Sequence, residues 1–464
     1  MVFSSLTFLY LFLPLCLVLH YSTKNNLFRN FSLTIFSLIF YAWGEPLWVF
    51  LLLFSSFFDY ANGLLIEKYK GNIKSKIILT LSIVGNIGIL VAFKYGGFIW
   101  ENINFFITLP FPKPTNTLPI GISFYTFQTV SYTIDVYRGE VKAQKNVINF
   151  LMFVSLFHQL VAGPIVRYQT IESEMENRKF EWNDISSGVW RFCLGLFKKV
   201  LIANIAGELV NKYLEVGFND LSSLEAWFGI TMFSVQIYFD FSGYSDMAIG
   251  LGRMFGFHYD ENFKHPYAAI SVGDFYRRWH ISLGKFFRDY VYIPLGGNRK
   301  YQFRNIMIVW LLTGLWHGAS WNFVFWGFYF GCFMIIEKLL EKVLNKTPRL
   351  IRHLYTILLI IFSRSIFYFV DFKQLKFFIA KLFNTTTPVN EGFYSDIYSH
   401  VFWFILVIVM CIPWDEIFTK EHKINIATQN VFKYTQPVLN FILLILSVVL
   451  LVDSTYNPFI YFRF

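Results

Sequence analysis

The residues able to do chemistry in this chain lie inside apolar sequence, where an ionisable side chain is costly and marks function by default. Gly314-Leu-Trp-His317-Gly-Ala-Ser320 places one imidazole among aliphatic and aromatic neighbours. Desolvation disfavours imidazolium, so His317 is expected to be neutral and able to take a proton from a hydroxyl. Gly314 and Gly318 allow a substrate or another helix to come close. The competing reading is a histidine that only hydrogen-bonds across helices. A second stretch, Arg277-Arg278-Trp279-His280-Ile-Ser282, continues through Arg288-Asp289-Tyr290 to Ile293-Pro-Leu-Gly-Gly-Asn298-Arg299. From Asp274 to Arg304 it holds seven basic residues against two acidic ones, interleaved with Phe, Tyr and Trp. This mixture suits a phosphate-bearing ligand such as a nucleotide-tailed thioester. It suits a headgroup-facing amphipathic region equally well.

A third stretch, Gln236-Ile-Tyr-Phe-Asp240-Phe-Ser242-Gly-Tyr-Ser-Asp246, puts two carboxylates six residues apart in an apolar span. Both need partners. Pairing with the arginines of the second stretch would make them scaffolding, in one polar network with Ser242, Arg288 and Asp289. Lining a cation path would make them a transporter's ligands. His158, with Gly163 and Pro164, is a weaker fourth site. Cys16, Cys193, Cys332 and Cys411 lie far apart in apolar sequence and form no CxxC or zinc pattern, so no metal is expected. HExxH, Walker A, GxGxxG and GxSxG signatures are absent.

The elements that position these residues follow from composition. Of 464 residues, 55% are hydrophobic and 15% charged, with 57 Phe and a mean hydropathy of +0.46. So few charges cannot cover a water-soluble surface. Disorder, collagen-like fibres and disulfide scaffolds are excluded as well. What remains is an all-α, polytopic membrane protein with about ten to twelve membrane segments, some re-entrant. The net charge of +10 fits the positive-inside rule and anionic headgroups, so no nucleic-acid partner is expected.

Residues 2–20 read as a retained first span, with no basic residue before them and no A-x-A site after. Lys24 and Arg29 then place the first loop in the cytoplasm. Further spans fall at 28–43, 47–63, 77–98, 118–136, 225–256, 354–370, 398–414 and 434–452. Residues 306–337 are one long span or two segments broken at Gly314 to Ser320. Residues 147–165 read as a span or a re-entrant segment, 191–216 as an interfacial helix, and 262–304 as too polar for a simple span. With no repeat or linker, residues 1–464 read as one membrane domain: 1–116 as N-terminal spans, 117–337 as catalytic core and 338–464 as C-terminal spans.

These stretches, with Leu118-Pro-Ile-Gly-Ile-Ser-Phe-Tyr-Thr-Phe-Gln128, Asp135-Val-Tyr-Arg-Gly139 and the terminal Asn457-Pro-Phe-Ile-Tyr-Phe, resemble the membrane-bound O-acyltransferase superfamily. The similar branch is that of bacterial alginate and peptidoglycan O-acetyltransferases. The resemblance implies that His317 is catalytic and His280 its companion. It implies a conical helical fold around a transmembrane tunnel in the bacterial cytoplasmic (inner) membrane. Acetyl-CoA would serve as donor substrate, with no permanently bound cofactor. The acetyl group would pass to an envelope polysaccharide through an extracytoplasmic SGNH-type acetyltransferase. The sequence carries no second soluble domain, so that partner is expected on another chain. On this reading Arg277, Arg278 and Trp279 serve donor binding, and Trp316, Trp321, Asn322 or His280 supply hydrogen bonds to the oxyanion. D-alanyl or other acyl transfer shares the core motifs. A passive channel or polysaccharide exporter is the competitor outside enzymes.

Overall fold

The computed structural model describes residues 1–464 except 115–116, 162, 415, 418–425, 454–458 and 461–464, and omits the side chains of 426–433 and 453. Among the described residues there is no strand; one isolated bridge joins Phe263 to Trp279. In lipid every backbone polar group must be satisfied within the chain, and helices do this locally. Among the described residues four helical stretches are long and apolar enough to cross a membrane: Val49–Lys68, Ile73–Phe106, Arg349–Tyr368 and Tyr434–Val452. A bent pair, Glu391–Ser399 with Val401–Cys411, makes a fifth if it is one span. The other segments read from the sequence are helices that are shorter, broken or carry buried charge. The chain is an all-α, multi-pass membrane protein.

Two compact units divide it: residues 1–192 with 245–260, and 193–244 with 261–464. The boundaries at 192/193 and 244/245 fall inside helices Trp182–Phe197 and Ser223–Met254, and the one at 260/261 follows the second of them. In the first unit, Asn25 caps Asn26–Gly44 by accepting from the N–H groups of Leu27 and Phe28. The 147–165 stretch is a broken segment. Val147–Ser155 ends at Leu156, and Phe157–Leu160 restarts with the Phe157 N–H donating to the buried Ser37 hydroxyl at 3.1 Å.

In the second unit the 306–337 stretch is two helices, Gln302–His317 and Trp321–Leu339, turned back on each other through Gly318 and Ser320. Glycines let their backbones touch. A Cβ on Gly314 would lie 2.2 Å from the Phe323 carbonyl oxygen, and one on Gly327 would lie 2.3 Å from that of Trp310. This is the small-residue contact by which helices associate without a hydrophobic driving force.

Residues 191–216 are not an interfacial helix. Lys199 is buried, and Ile202, Ala206 and Leu209 belong to the core of the second unit. A π-helical stretch, Lys198–Ala203, widens the turn that carries Lys199. A Cβ on Gly243 would lie 2.7 Å from the Gly195 carbonyl, so this helix and Ser223–Met254 cross at backbone contact.

Candidate active site

His280 sits between two short helices, Val272–Arg278 and Ile281–Phe287, outside the four crossing stretches. Its backbone is left-handed (φ 47°, ψ 54°), a conformation rare outside glycine and concentrated at functional sites. Asn262 holds this turn. Its backbone carbonyl accepts from the Ile281 N–H at 3.0 Å. Its side-chain oxygen accepts from the Ser282 N–H at 3.3 Å and the Ser282 hydroxyl at 2.8 Å, and lies 3.1 Å from His280 Nδ1. An oxygen that accepts from an N–H cannot donate, so Nδ1 carries the proton and Nε2 presents a lone pair. Nε2 is buried and meets no hydrogen-bond partner among the described residues. Burial pushes the imidazole pKa down to about 3, so the ring is neutral near pH 7.

His317 is the last residue of its helix, 9% exposed, with Gly318 extended behind it. Its ring packs edge-on to Trp316 at 5.1 Å, Trp326 at 5.1 Å and Phe367 at 5.2 Å. The Trp316 ring is also 5.7 Å from that of His280. The two histidines, 37 positions apart in the sequence, therefore converge on one indole. The C-terminal end of a helix dipole favours positive charge, so a proton taken up by His317 would be stabilised where it arrives.

Around this pair the structure sorts the other expected residues. Trp279 is buried against Phe263 and Phe275. Asn322 is fully buried, but its amide N–H groups go to the carbonyls of Ile366 and Phe367, so it braces the wall next to His317. Trp321 is 52% exposed. The two arginines part company. Arg278 is held by Asp274 at 3.2 Å and Glu416 at 2.6 Å, whereas the Arg277 side chain is 73% exposed. Of the two, Arg277 is placed to meet a soluble phosphate.

Among the described residues Asp240 and Asp246 do not meet these arginines. Asp240 pairs with Lys199 at 2.7 Å and accepts from the Ile460 N–H at 2.7 Å. Asp246, in the first unit, pairs with Arg191 at 2.8 Å. Arg288 turns to its own neighbour Asp289 at the surface, and the buried Ser242 hydroxyl meets no partner among the described residues. The expected single network is thus a set of separate pairs, because the preceding helix brings cations to both carboxylates first. Of the terminal motif, only Phe459 and Ile460 lie within the described residues.

Two residues escaped the sequence reading. Trp326, one helical turn beyond Asn322, aims an indole N–H into the interior without an acceptor among the described residues. Arg364 is buried within Arg349–Tyr368, with its guanidinium 4.6 Å from the centre of the Trp279 ring. Its Nε and Nη2 have no hydrogen-bond partner among the described residues. An arginine amid Ile361-Phe-Ser and Ser-Ile-Phe367 is the same signal that singled out His317. It was legible, but no motif surrounded it.

A buried histidine pair, a bare imidazole nitrogen and unspent N–H donors can deprotonate a hydroxyl and hold a developing oxyanion. Comparisons with known proteins point the same way. Residues 140–370, which include both histidines, match the model of the MBOAT, membrane-bound O-acyltransferase family. A probable alginate O-acetylase AlgI from Azotobacter vinelandii is 42% identical over 79% of this chain and 75% of its own length. A peptidoglycan O-acetyltransferase from Helicobacter pylori is 33% identical over 84% of this chain and 79% of its own. A teichoic acid D-alanyltransferase from Bacillus subtilis is 29% identical over 57% and 69%. With identity of this degree spread over most of both chains, and the histidine pair inside the matched region, the chain belongs to the membrane-bound O-acyltransferase family and is an O-acyltransferase.

Proposed function

We propose that this enzyme takes acetyl from cytoplasmic acetyl-CoA and passes it across the bacterial inner membrane for O-acetylation of an envelope polysaccharide, alginate-like or peptidoglycan. A separate extracytoplasmic SGNH-type acetyltransferase completes the transfer. The observation that carries the reading is the convergence of His317 and His280 on Trp316 in a buried aromatic enclosure. The similarity to an alginate O-acetylase and a peptidoglycan O-acetyltransferase supports acetyl as the group moved.

On this reading an acceptor hydroxyl attacks the thioester carbonyl carbon. His317 takes the hydroxyl proton as the new C–O bond forms. His280 Nε2 accepts a hydrogen bond that orients the acceptor, and the Trp326 N–H faces the oxyanion. The C–S bond then breaks, the proton passes from His317 to the thiolate, and CoA leaves. Arg277 meets the donor's phosphates. A cavity of about 430 Å³ is lined by Glu215, Phe218, Phe233, Tyr368 and Gln374, Tyr368 being the sequence neighbour of Phe367.

The test is the ester-linked acetate of purified peptidoglycan and exopolysaccharide, assayed separately in wild type, His317→Ala and His280→Ala cells. Membrane levels of each protein are checked. Loss of acetate from one polymer in His317→Ala, with the protein still accumulating, is the expected result and names the acceptor. Unchanged acetate in every fraction sinks the acetyl reading and brings D-alanine esters forward, the product class of the teichoic acid relatives.

A further inference from the structure

His158, in a motif outside the histidine pair, belongs to a buried basic cluster in the first unit. His20 and His158 are both fully buried, and their rings flank Phe255 at 5.0 and 5.9 Å. Arg29 lies over Phe180 at 4.3 Å and Arg178 over Phe257 at 4.2 Å, with 8% and 7% of their surfaces left. The four groups are within electrostatic reach of one another: His20 of Arg178, Arg29 and His158, and Arg178 of Arg29. Gly256, at φ +79°, leaves room for the Arg178 stem, since a Cβ there would lie 2.6 Å from Arg178 Cγ.

Charge in the cluster is unbalanced. A guanidinium keeps its charge in any protein environment, and buried charges are normally paired. Glu174 is the carboxylate that attracts Arg178, but its oxygens are engaged by His258, at 3.0 Å from the backbone N–H and 2.7 Å from Nδ1. Among the described residues the hydrogen bonds of Arg178 go to neutral acceptors, the Glu174 carbonyl and the Asn30 side chain. Unspent polar atoms remain: Arg178 Nη1, both ring nitrogens of His20, and His158 Nε2. The Tyr259 hydroxyl lies 2.7 Å from His158 Nδ1, which leaves Nε2 as the unspent nitrogen of that ring.

We infer that this cluster, formed by Arg29, Arg178, His20 and His158, is a binding site for a phosphate monoester dianion. Two fixed positive charges match its charge of about −2, and its three oxygens accept from donors arriving from several directions. A carboxylate offers one charge and a single plane. The 3′-phosphate of coenzyme A and phosphatidic acid carry this group, and free phosphate presents the same dianionic oxygens. The coenzyme A source rests on the acetyl-CoA reading above; the other two do not.

The experiment uses the full chain purified in a nonionic detergent, with binding followed by equilibrium dialysis and thermal midpoint. Orthophosphate is compared with chloride, coenzyme A with dephospho-coenzyme A, and phosphatidic acid with phosphatidylcholine in mixed micelles. At least one monoester is expected to bind ten-fold or more tightly than its control, and the pair that discriminates names the source. Arg178→Met removes that discrimination. His20→Phe keeps an aromatic ring in place and weakens it several-fold, and it serves if Arg178→Met does not fold. The inference is overturned if no pair discriminates in the wild-type protein, or if discrimination persists undiminished in both variants.

Discussion

Replacing Gly314 by alanine tests whether the hairpin contact sets the position of His317. The added Cβ lands 2.2 Å from the Phe323 carbonyl oxygen and 3.1 Å from its carbon, where ordinary contact begins at 3.4 Å. The shortfall is about 1.2 Å against a backbone carbonyl, which cannot rotate aside without breaking its helix. The two helices must therefore slide or part by about an ångström. His317 lies three residues further along one helix, and its wall, Trp326, lies on the other. A misplacement of about 1 Å in a reacting group costs on the order of 100-fold in rate, or about 2.7 kcal/mol of barrier. Overpacking also costs about 1–3 kcal/mol of stability, so the protein should still accumulate in membranes, with a lowered midpoint. The assay is the initial rate of CoA release from acetyl-CoA by purified protein, per mole of folded enzyme. Gly88→Ala is the control, since nothing lies within 4 Å of a Cβ there. A Gly314→Ala enzyme with the wild-type rate would refute the claim that this contact registers His317 for the reaction.

Two further outcomes follow from buried polar groups. Lys199→Met leaves Asp240 uncompensated in the core and should lower stability by about 3–5 kcal/mol, whereas adding Asp240→Leu should recover most of the loss. Thermal midpoints in detergent check this, and a double variant no better than the single contradicts it. The His280 imidazole titrates near 3 when folded and near 6.5 when unfolded, so below 6.5 the unfolded chain takes a proton that the folded one does not. Its contribution is complete above pH 6.5 and is lost as pH falls, at up to about 1.4 kcal/mol per pH unit. His280→Gln should show a shallower loss of stability from pH 6 to 4 than wild type, and parallel curves would contradict the assignment.

Much of this protein was legible before any coordinates. Sparse charge and abundant Phe exclude a soluble surface, which leaves helices in lipid, and that inference needs no contact information. His317 and His280 stand out because an ionisable group in apolar sequence is expensive wherever it ends up. The break at Gly314 to Ser320 was readable as two possibilities, and the paired glycine contacts settle it as a hairpin. Partnership was a different matter. Asp240 and Asp246 were matched to the arginines near 277 by type alone, but Lys199 and Arg191 take them, since the helix that crosses at Gly195 and Gly243 sets which cation arrives.

The segment 191–216 misled for a related reason. Amphipathic periodicity identifies a polar stripe but not whether it faces headgroups or a buried carboxylate. Trp326 and Arg364 lay outside every recognised motif, and only packing shows Trp326 against His317 and Arg364 over Trp279 with buried N–H groups. By itself, then, the sequence determined the solvent the chain folds in, the helical class that this solvent imposes, and which side chains are too costly to be incidental. Tertiary structure alone decided which of those costly groups cancel one another and which are left with unspent hydrogen-bonding capacity. Desolvation cost belongs to a residue and can be read along a chain, whereas its compensation belongs to a pair and depends on how helices cross.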